Sequence, residues 1–310
     1  MLVGGQLIHD ALFYADDHGF VAAVAPILSD GAASGHACVV AATAHNNGLL
    51  RDALGDAADA ITFHDRDEWY RRPARTVFGW KRLLDEATAN GHPFVRIIGE
   101  VRFGDGDEHA TWSRYESSLN LIFAGRPCWI ICPYNVRTLP PNVLADARRT
   151  HPTLAAHSTR AASVEYQSPE QFLTAVPEPR PPVDGAPAVR LLAERSLADV
   201  RRAVRAVVTE RGWLAGARLD DFVLALSEIV ANSMRYGRGE RAVSLWPTVT
   251  GLICEVTDEG DGPNDPLAGY RPPEESAHAG RGMWIAQQLA DRMSIDRSGG
   301  RTRIRFAVHH

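Results

Sequence analysis

The chain has 310 residues, a formal net charge of −5 and 45% hydrophobic residues, enough for two soluble domains and without a basic field for nucleic acid or an anionic membrane. Of its 33 Lys and Arg residues only Lys81 is a lysine, and Arg82 follows it, which excludes a Gly-Lys-Ser/Thr phosphate loop and a kinase-type strand lysine. Any nucleotide must therefore be held without lysine. No basic leader or apolar run of membrane-spanning length stands out, and four cysteines are too few for a disulfide scaffold, so a cytoplasmic protein is expected.

In chain order, the first half alternates short apolar runs with helical-period stretches. Residues 37–42, 60–63, 94–98 and 129–132 have strand length and composition, and 76–90 and 109–123 have helical spacing. This order predicts an α/β domain with a mostly parallel sheet covered on both faces. Asp30-Gly-Ala-Ala-Ser-Gly-His36 is expected as a turn standing where a RecA-type sheet has its ATP-binding loop, but with His36 in place of the lysine and no Ser/Thr after it, it reads as a loop without nucleotide-binding power. Cys128 and Cys132 share an apolar run and read as buried structural thiols rather than a metal or redox pair.

Scattered short matches run through this half: His9 followed by Ala11-Leu-Phe-Tyr14, Arg96-Ile-Ile-Gly-Glu100, Tyr115-Glu116 with Asn120, Cys132-Pro-Tyr-Asn135, and His151-Pro152. With them the half resembles MEDS, a RecA/KaiC-like sensory domain of bacterial regulators (DcmR-like). The resemblance implies signal reception without naming a ligand. His9, Glu100, Tyr115 and Glu116 either line a sensory pocket or fix helix ends, and His151-Pro152 reads as a helix stop.

Pro169, Pro177, Pro179, Pro181, Pro182 and Pro187 then mark an extended linker. The expected organisation is a sensory domain over 1–175, a linker over 176–189 and a second domain over 190–310.

In the second half Ser196-Leu-Ala-Asp199 reads as a helix start, and a further helix is expected over 220–236. Glu228 and Asn232 are four residues apart on it and share a face. Strands follow over 242–246 and 252–257, then Asp258-Glu-Gly-Asp-Gly262 and a polar loop to Ala279. Gly280-Arg281-Gly282 is expected to open a helix reaching Arg292, and a hairpin around Gly299-Gly300 closes the chain.

Each feature suits ATP. Asp258 at a strand end can accept a hydrogen bond from an adenine amino group. Gly260 and Gly262 let backbone and base approach closely. Asn232 offers an amide oxygen to Mg²⁺, and Glu228 one turn away can accept a proton from an attacking hydroxyl. The helix start at Gly280, Arg281 and Gly282 presents N–H groups to phosphates, with arginine as the cation.

This ordered set resembles the GHKL (Bergerat-fold) ATPase family, an α/β sandwich shared by histidine kinases, gyrase-type ATPases and anti-sigma-factor kinases. Glu228 and Asn232 match its N box, Asp258, Gly260 and Gly262 its first glycine box, and Gly280 and Gly282 its second. Thr302 matches its terminal Gly-Thr with Arg301 intervening. No histidine occurs between His157 and His278 to serve as an upstream phospho-acceptor, and no transducer domain is expected after the closing hairpin. The compact domain therefore looks most like RsbW-type anti-sigma kinases. That resemblance implies a serine/threonine kinase using ATP and Mg²⁺, an anti-anti-sigma (STAS-type) substrate, a sequestered sigma factor and a homodimer. A non-catalytic ATP-binding partner switch, or a histidine-kinase-like sensor with a separate acceptor, are the alternatives.

Overall fold

The computed structural model describes residues 6–104, 108–156, 159–192, 196–263, 265, 267–271 and 281–310, and it divides into two compact units, Met1–Pro177 and Glu178–His310. The first unit is a mixed α/β domain. Its strands are β1 (Ile8–Tyr14), β2 (Ala37–Ala42), β3 (Ile61–Asp65), β4 (Val95–Gly99), β5 (Cys128–Asn135), β6 (Thr153–Ala156) and β7 (Thr159–Ala162). They lie in the order β3-β2-β4-β5-β1-β6-β7, parallel except for the β6–β7 pair.

The intervening helices are α1 (Asp17–Ala33), α2 (Ala44–Leu54), α3 (Arg66–Trp69), α4 (Pro73–Ala89), α5 (Glu108–Ile122), α6 (Pro141–Thr150) and α7 (Pro169–Ala175). Alternation along the strands builds a core on each face. Val39 and Ala41 of β2 pack with α4 and α5, whereas Cys38, Val40 and Ala42 pack with α1 and α2. The mostly parallel, doubly covered sheet is thus the one the sequence predicts.

The segment 30–36 is not the turn expected of it. Helix α1 continues to Ala33, and only Ser34, Gly35 and His36 leave it. Arg96 fastens this exit, donating to the Ile27 carbonyl at 2.7 Å and to Asp30 at 2.6 Å. The segment is therefore a helix C-terminus entering β2, where the dipole repels anions, and not a loop leading into a helix N-terminus.

The second unit carries an antiparallel sheet ordered β11-β12-β10-β9-β8. Its strands are β8 (Val189–Leu192), β9 (Ala242–Thr248), β10 (Gly251–Asp258), β11 (Arg292–Ser298) and β12 (Arg301–His309). Helices α8 (Leu197–Glu210), α9 (Gly216–Tyr236) and α10 (Arg281–Leu289) pack on one face. Leu252, Cys254 and Val256 of β10 and Ile304, Phe306 and Val308 of β12 meet Val204, Phe222 and Ile229 of the helices there. Helix α10 stops at Leu289, three residues short of the expected end, because Arg292 already begins β11.

The proline-rich stretch does more than extend. Val183 packs on Trp246, Ile253 and Ala307 on the other sheet face, and the Trp246 indole donates to the Gly185 carbonyl at 3.3 Å. Among the described residues, no helix is long and apolar enough to cross a membrane.

Candidate functional site

Helix α9 buries Phe222, Val223, Leu226, Ile229 and Val230, which orients Glu228 and Asn232 toward the edge of that core. The start of α10 lies directly against them. A Cβ placed on Gly282 would stand 2.8 Å from Glu228 Oε2 and 3.2 Å from Asn232 Nδ2. Three predicted positions, from two helices separated by the whole of β9 and β10 in sequence, therefore converge. Among the described residues, neither Glu228 nor Asn232 has a hydrogen-bonding or ionic partner. Arg281 is exposed at the first position of α10, and Gly280 lies outside the described residues.

Asp258 ends β10 and is 6% exposed. Its Oδ1 accepts from the Gly260 N–H at 2.7 Å, and its Oδ2 accepts from Ser233 Oγ at 2.7 Å. Both oxygens are thereby oriented while each keeps a free lone pair. Gly260 is tightly enclosed: an added Cβ would lie 2.9 Å from both Asp258 Oδ1 and the Gly237 Cα. Gly262 has φ +66°, and a Cβ there would meet Thr302 Oγ1 at 2.8 Å. Thr302 pairs directly with Asp258 across the sheet, and its hydroxyl donates to the Gly260 carbonyl at 2.7 Å. Arg301 between Gly300 and Thr302 leaves the threonine against Gly260 and Gly262.

Ser233, Gly237 and Arg241 belong to this arrangement although the sequence reading passed over them. Arg241 donates to the Ser233 and Gly237 carbonyls at 3.0 and 3.1 Å, satisfying the end of α9 beneath Asp258. The visible signal was Ser233 beside Asn232, followed four residues later by a helix-ending glycine.

Two polar groups, Glu228 and Asn232, face a glycine that leaves space, beside an oriented carboxylate and a helix start. This donor set fits a magnesium nucleotide. Asn232 supplies the neutral oxygen such an ion accepts, and Gly282 the absence of a side chain.

In the first unit the four candidate sensory residues separate. Glu100 follows β4, where Oε2 accepts from the Thr43 N–H at 3.0 Å and Asn46 Nδ2 at 2.9 Å, and Arg66 stands 3.6 Å from Oε1. Tyr115 accepts from the Trp80 indole at 2.8 Å inside an aromatic group with Tyr70 and Trp112. Only His9 and Glu116 meet, with Nε2 and Oε2 3.2 Å apart.

Two residues assigned other roles join that pair. Cys132 donates to Glu116 Oε2 at 3.3 Å, and His151 Nε2 lies 3.3 Å from the same oxygen. His151 does end α6, as a helix stop should, but its ring is wholly buried. Burial pushes the Cys132 thiol well up, reinforced by the Glu116 charge. Burial also works to raise the Glu116 carboxyl, yet the His151 and His9 rings set against it outweigh burial and hold the group down at about 2.

Residues 8–152 match the family described as MEDS: MEthanogen/methylotroph, DcmR Sensory domain. Residues 191–308 match the histidine kinase-like ATPase domain. No curated protein matches the chain significantly. The chain thus carries a MEDS sensory domain at its N-terminus and a histidine kinase-like ATPase domain at its C-terminus.

Proposed function

We propose that the protein is a sensor-regulated kinase of the RsbW anti-sigma type. Its ATPase domain transfers the ATP γ-phosphate to a serine or threonine of an anti-anti-sigma (STAS-type) protein and sequesters a sigma factor, acting as a homodimer in the cytoplasm. The observation that carries this reading is the unpartnered Glu228–Asn232 pair against Gly282, beside an oriented Asp258.

When bound, Mg²⁺ supplies charge neutralisation at the phosphates. Asn232 would hold it through the amide oxygen. Glu228 would take the proton from the attacking hydroxyl, a role that needs a carboxylate free of other partners. Asp258 keeps lone pairs for an exocyclic amino group, and the α10 start turns N–H groups toward phosphate. None of these tasks requires lysine.

The test is transfer from radiolabelled ATP to candidate STAS-type proteins, with Glu228→Gln and Asn232→Ala as variants. Glu228→Gln should retain ATP binding and lower transfer by ~10²–10⁴-fold, the range of a general base. Asn232→Ala should lose the Mg²⁺-dependent part of ATP affinity. Transfer undiminished in Glu228→Gln removes the kinase assignment. Tight ATP binding without transfer to any partner points instead to a nucleotide-dependent partner switch.

A further inference from the structure

We propose that His9, Glu116, Cys132 and His151 form a closed tetrahedral site for one divalent transition-metal ion of the zinc class. Its ligands are Nε2 of both histidines, Oε2 of Glu116 and Sγ of Cys132. The four side chains come from β1, α5, β5 and the end of α6, and their ligand atoms all lie within 4.8 Å of one another.

The separations have the size the ion demands. With metal–nitrogen and metal–oxygen bonds of ~2.0–2.1 Å and a metal–sulfur bond of ~2.3 Å, a tetrahedron sets N and O ligands ~3.3–3.4 Å apart and S from N or O ~3.5–3.6 Å. Glu116 Oε2 is 3.2 Å from His9 Nε2 and 3.3 Å from His151 Nε2. Cys132 Sγ is 3.3 Å from Glu116 Oε2 and 3.5 Å from His9 Nε2. These four separations match a tetrahedron to within a few tenths of an ångström, and the other two, from His151 Nε2 to His9 Nε2 and to Cys132 Sγ, are within 4.8 Å, so His151 closes on the ion by up to roughly 1 Å.

The surrounding hydrogen bonds aim the right atoms inward. Asn120 Nδ2 donates to the Thr150 and Ser117 carbonyls, so its Oδ1 faces His9 Nδ1 at 3.1 Å and can only accept. His151 Nδ1 stands 2.9 Å from the Ala147 carbonyl, which likewise can only accept. The neutral form of each ring therefore keeps its proton on Nδ1, which leaves the Nε2 lone pair facing Glu116. This outer ring of acceptors is the usual support of metal-binding imidazoles.

As they stand, these groups satisfy one another only in part. His151 Nε2 and Glu116 Oε1 are buried without any hydrogen-bond partner. A carboxylate facing two imidazole lone pairs is a repulsive arrangement that a cation reverses. Among the described residues, no arginine or lysine pairs with Glu116, and its only ionic neighbours are the two histidines. Two neutral imidazoles, a carboxylate and a thiolate carry a charge of −2 between them, which a divalent ion cancels. Binding would release the Cys132 proton to solvent, as thiolate ligation requires.

The mixed N, O and S donors favour a borderline ion over Mg²⁺ or Ca²⁺. Four protein ligands at 0–3% exposure leave no position for substrate, so the ion holds structure rather than catalysing a reaction. It would tie α5 and the end of α6 to the two central strands. The same α5 carries Arg114, whose Nη1 donates to the Leu173 and Val176 carbonyls at 2.7 and 2.5 Å where the first unit ends.

Tag-free full-length protein, produced in zinc-supplemented and in cobalt-supplemented medium, tests the site. Elemental analysis should find about one equivalent of metal per chain, and X-ray absorption one sulfur at ~2.3 Å with three N/O ligands at ~2.0–2.1 Å. The cobalt form should show thiolate charge transfer and tetrahedral visible bands, kept in Cys128→Ser and lost in Cys132→Ser. Asn120→Ala should weaken metal affinity by ~10- to 100-fold. Protein that folds without bound metal, a sulfur-free coordination shell, or charge transfer that persists in Cys132→Ser each overturns the assignment. The absorption measurement on unmutated protein decides the matter even where a variant fails to fold.

Discussion

Gly282→Ala should separate stability from nucleotide use. The new methyl group would stand 2.8 Å from Glu228 Oε2 and 3.2 Å from Asn232 Nδ2. Comfortable contact begins at ~3.5 Å, so the carboxylate must retreat by ~0.7 Å and the amide by ~0.3 Å. Both atoms are the free ends of side chains without described partners, so they can move at little cost to the fold. In the helix itself alanine is favoured over glycine by up to ~1 kcal/mol, so the midpoint of thermal unfolding should hold or rise. A misplacement of ~1 Å in a reacting group costs on the order of 10²-fold, so phosphotransfer should fall ~10- to 100-fold, with a measurable loss of Mg-ATP affinity. Calorimetric titration with Mg-ATP, thermal unfolding in the absence of nucleotide and single-turnover transfer together read the outcome. Unchanged affinity and transfer would refute the convergence of α10 on Glu228 and Asn232. A variant destabilised by more than ~1 kcal/mol would instead show that Gly282 serves the backbone.

Ser233→Ala removes a 2.7 Å hydrogen bond to the buried Asp258 carboxylate, and urea unfolding should register a loss of ~1.5–3 kcal/mol together with weaker adenine binding. An unmoved urea midpoint would show that Gly260 alone orients Asp258. Burial pushes the Cys38 thiol up to about 11 and the Cys128 thiol up to about 12, so neither should react with a neutral disulfide reagent at pH 8 until the protein is unfolded. Because folding raises both values, their contribution to stability is complete below ~pH 8.5 and is lost as pH rises toward them. Alkaline unfolding that stays flat between pH 8.5 and 11 would contradict this.

What the sequence reveals depends on whether a residue's role is local. The stripe from Phe222 to Val230 makes α9 legible, and the four-residue spacing of Glu228 and Asn232 places them on one face before any tertiary structure is known. Asp258 and the glycines after it are legible because a strand end and a turn are local events. Strand β1 escaped the reading, since His9 and Asp10 interrupt its apolar run, yet both are buried at the centre of the sheet. Asp10 is answered there by Arg160, 150 residues later, and by the Trp129 indole, which no window along the chain could show. The same holds for Cys132 and His151. The parallel register sets Ala11 opposite Cys132, so His9, two residues earlier on β1, shares its face. Only that pairing turns a structural thiol and a helix stop into neighbours of Glu116.

Polar groups that the protein leaves unanswered are the informative ones, because desolvating them without partners costs free energy that folding must recover elsewhere. Glu100 is answered by Thr43, Asn46 and Arg66, and it needs no ligand to explain it. Asp258 is answered by Ser233 and Gly260, yet retains lone pairs on a surface that two glycines keep clear. Glu228 and Asn232 have no described partner and are only half-buried, so water can serve them until a ligand does. Glu116 Oε1 and His151 Nε2 lack partners under complete burial, where water has no comparable access. The two cases therefore call for different occupants. A half-buried pair suits something that comes and goes, as a nucleotide does. A buried pair suits a cation installed with the fold, and the absence of a neighbouring arginine or lysine among the described residues leaves that role to a metal.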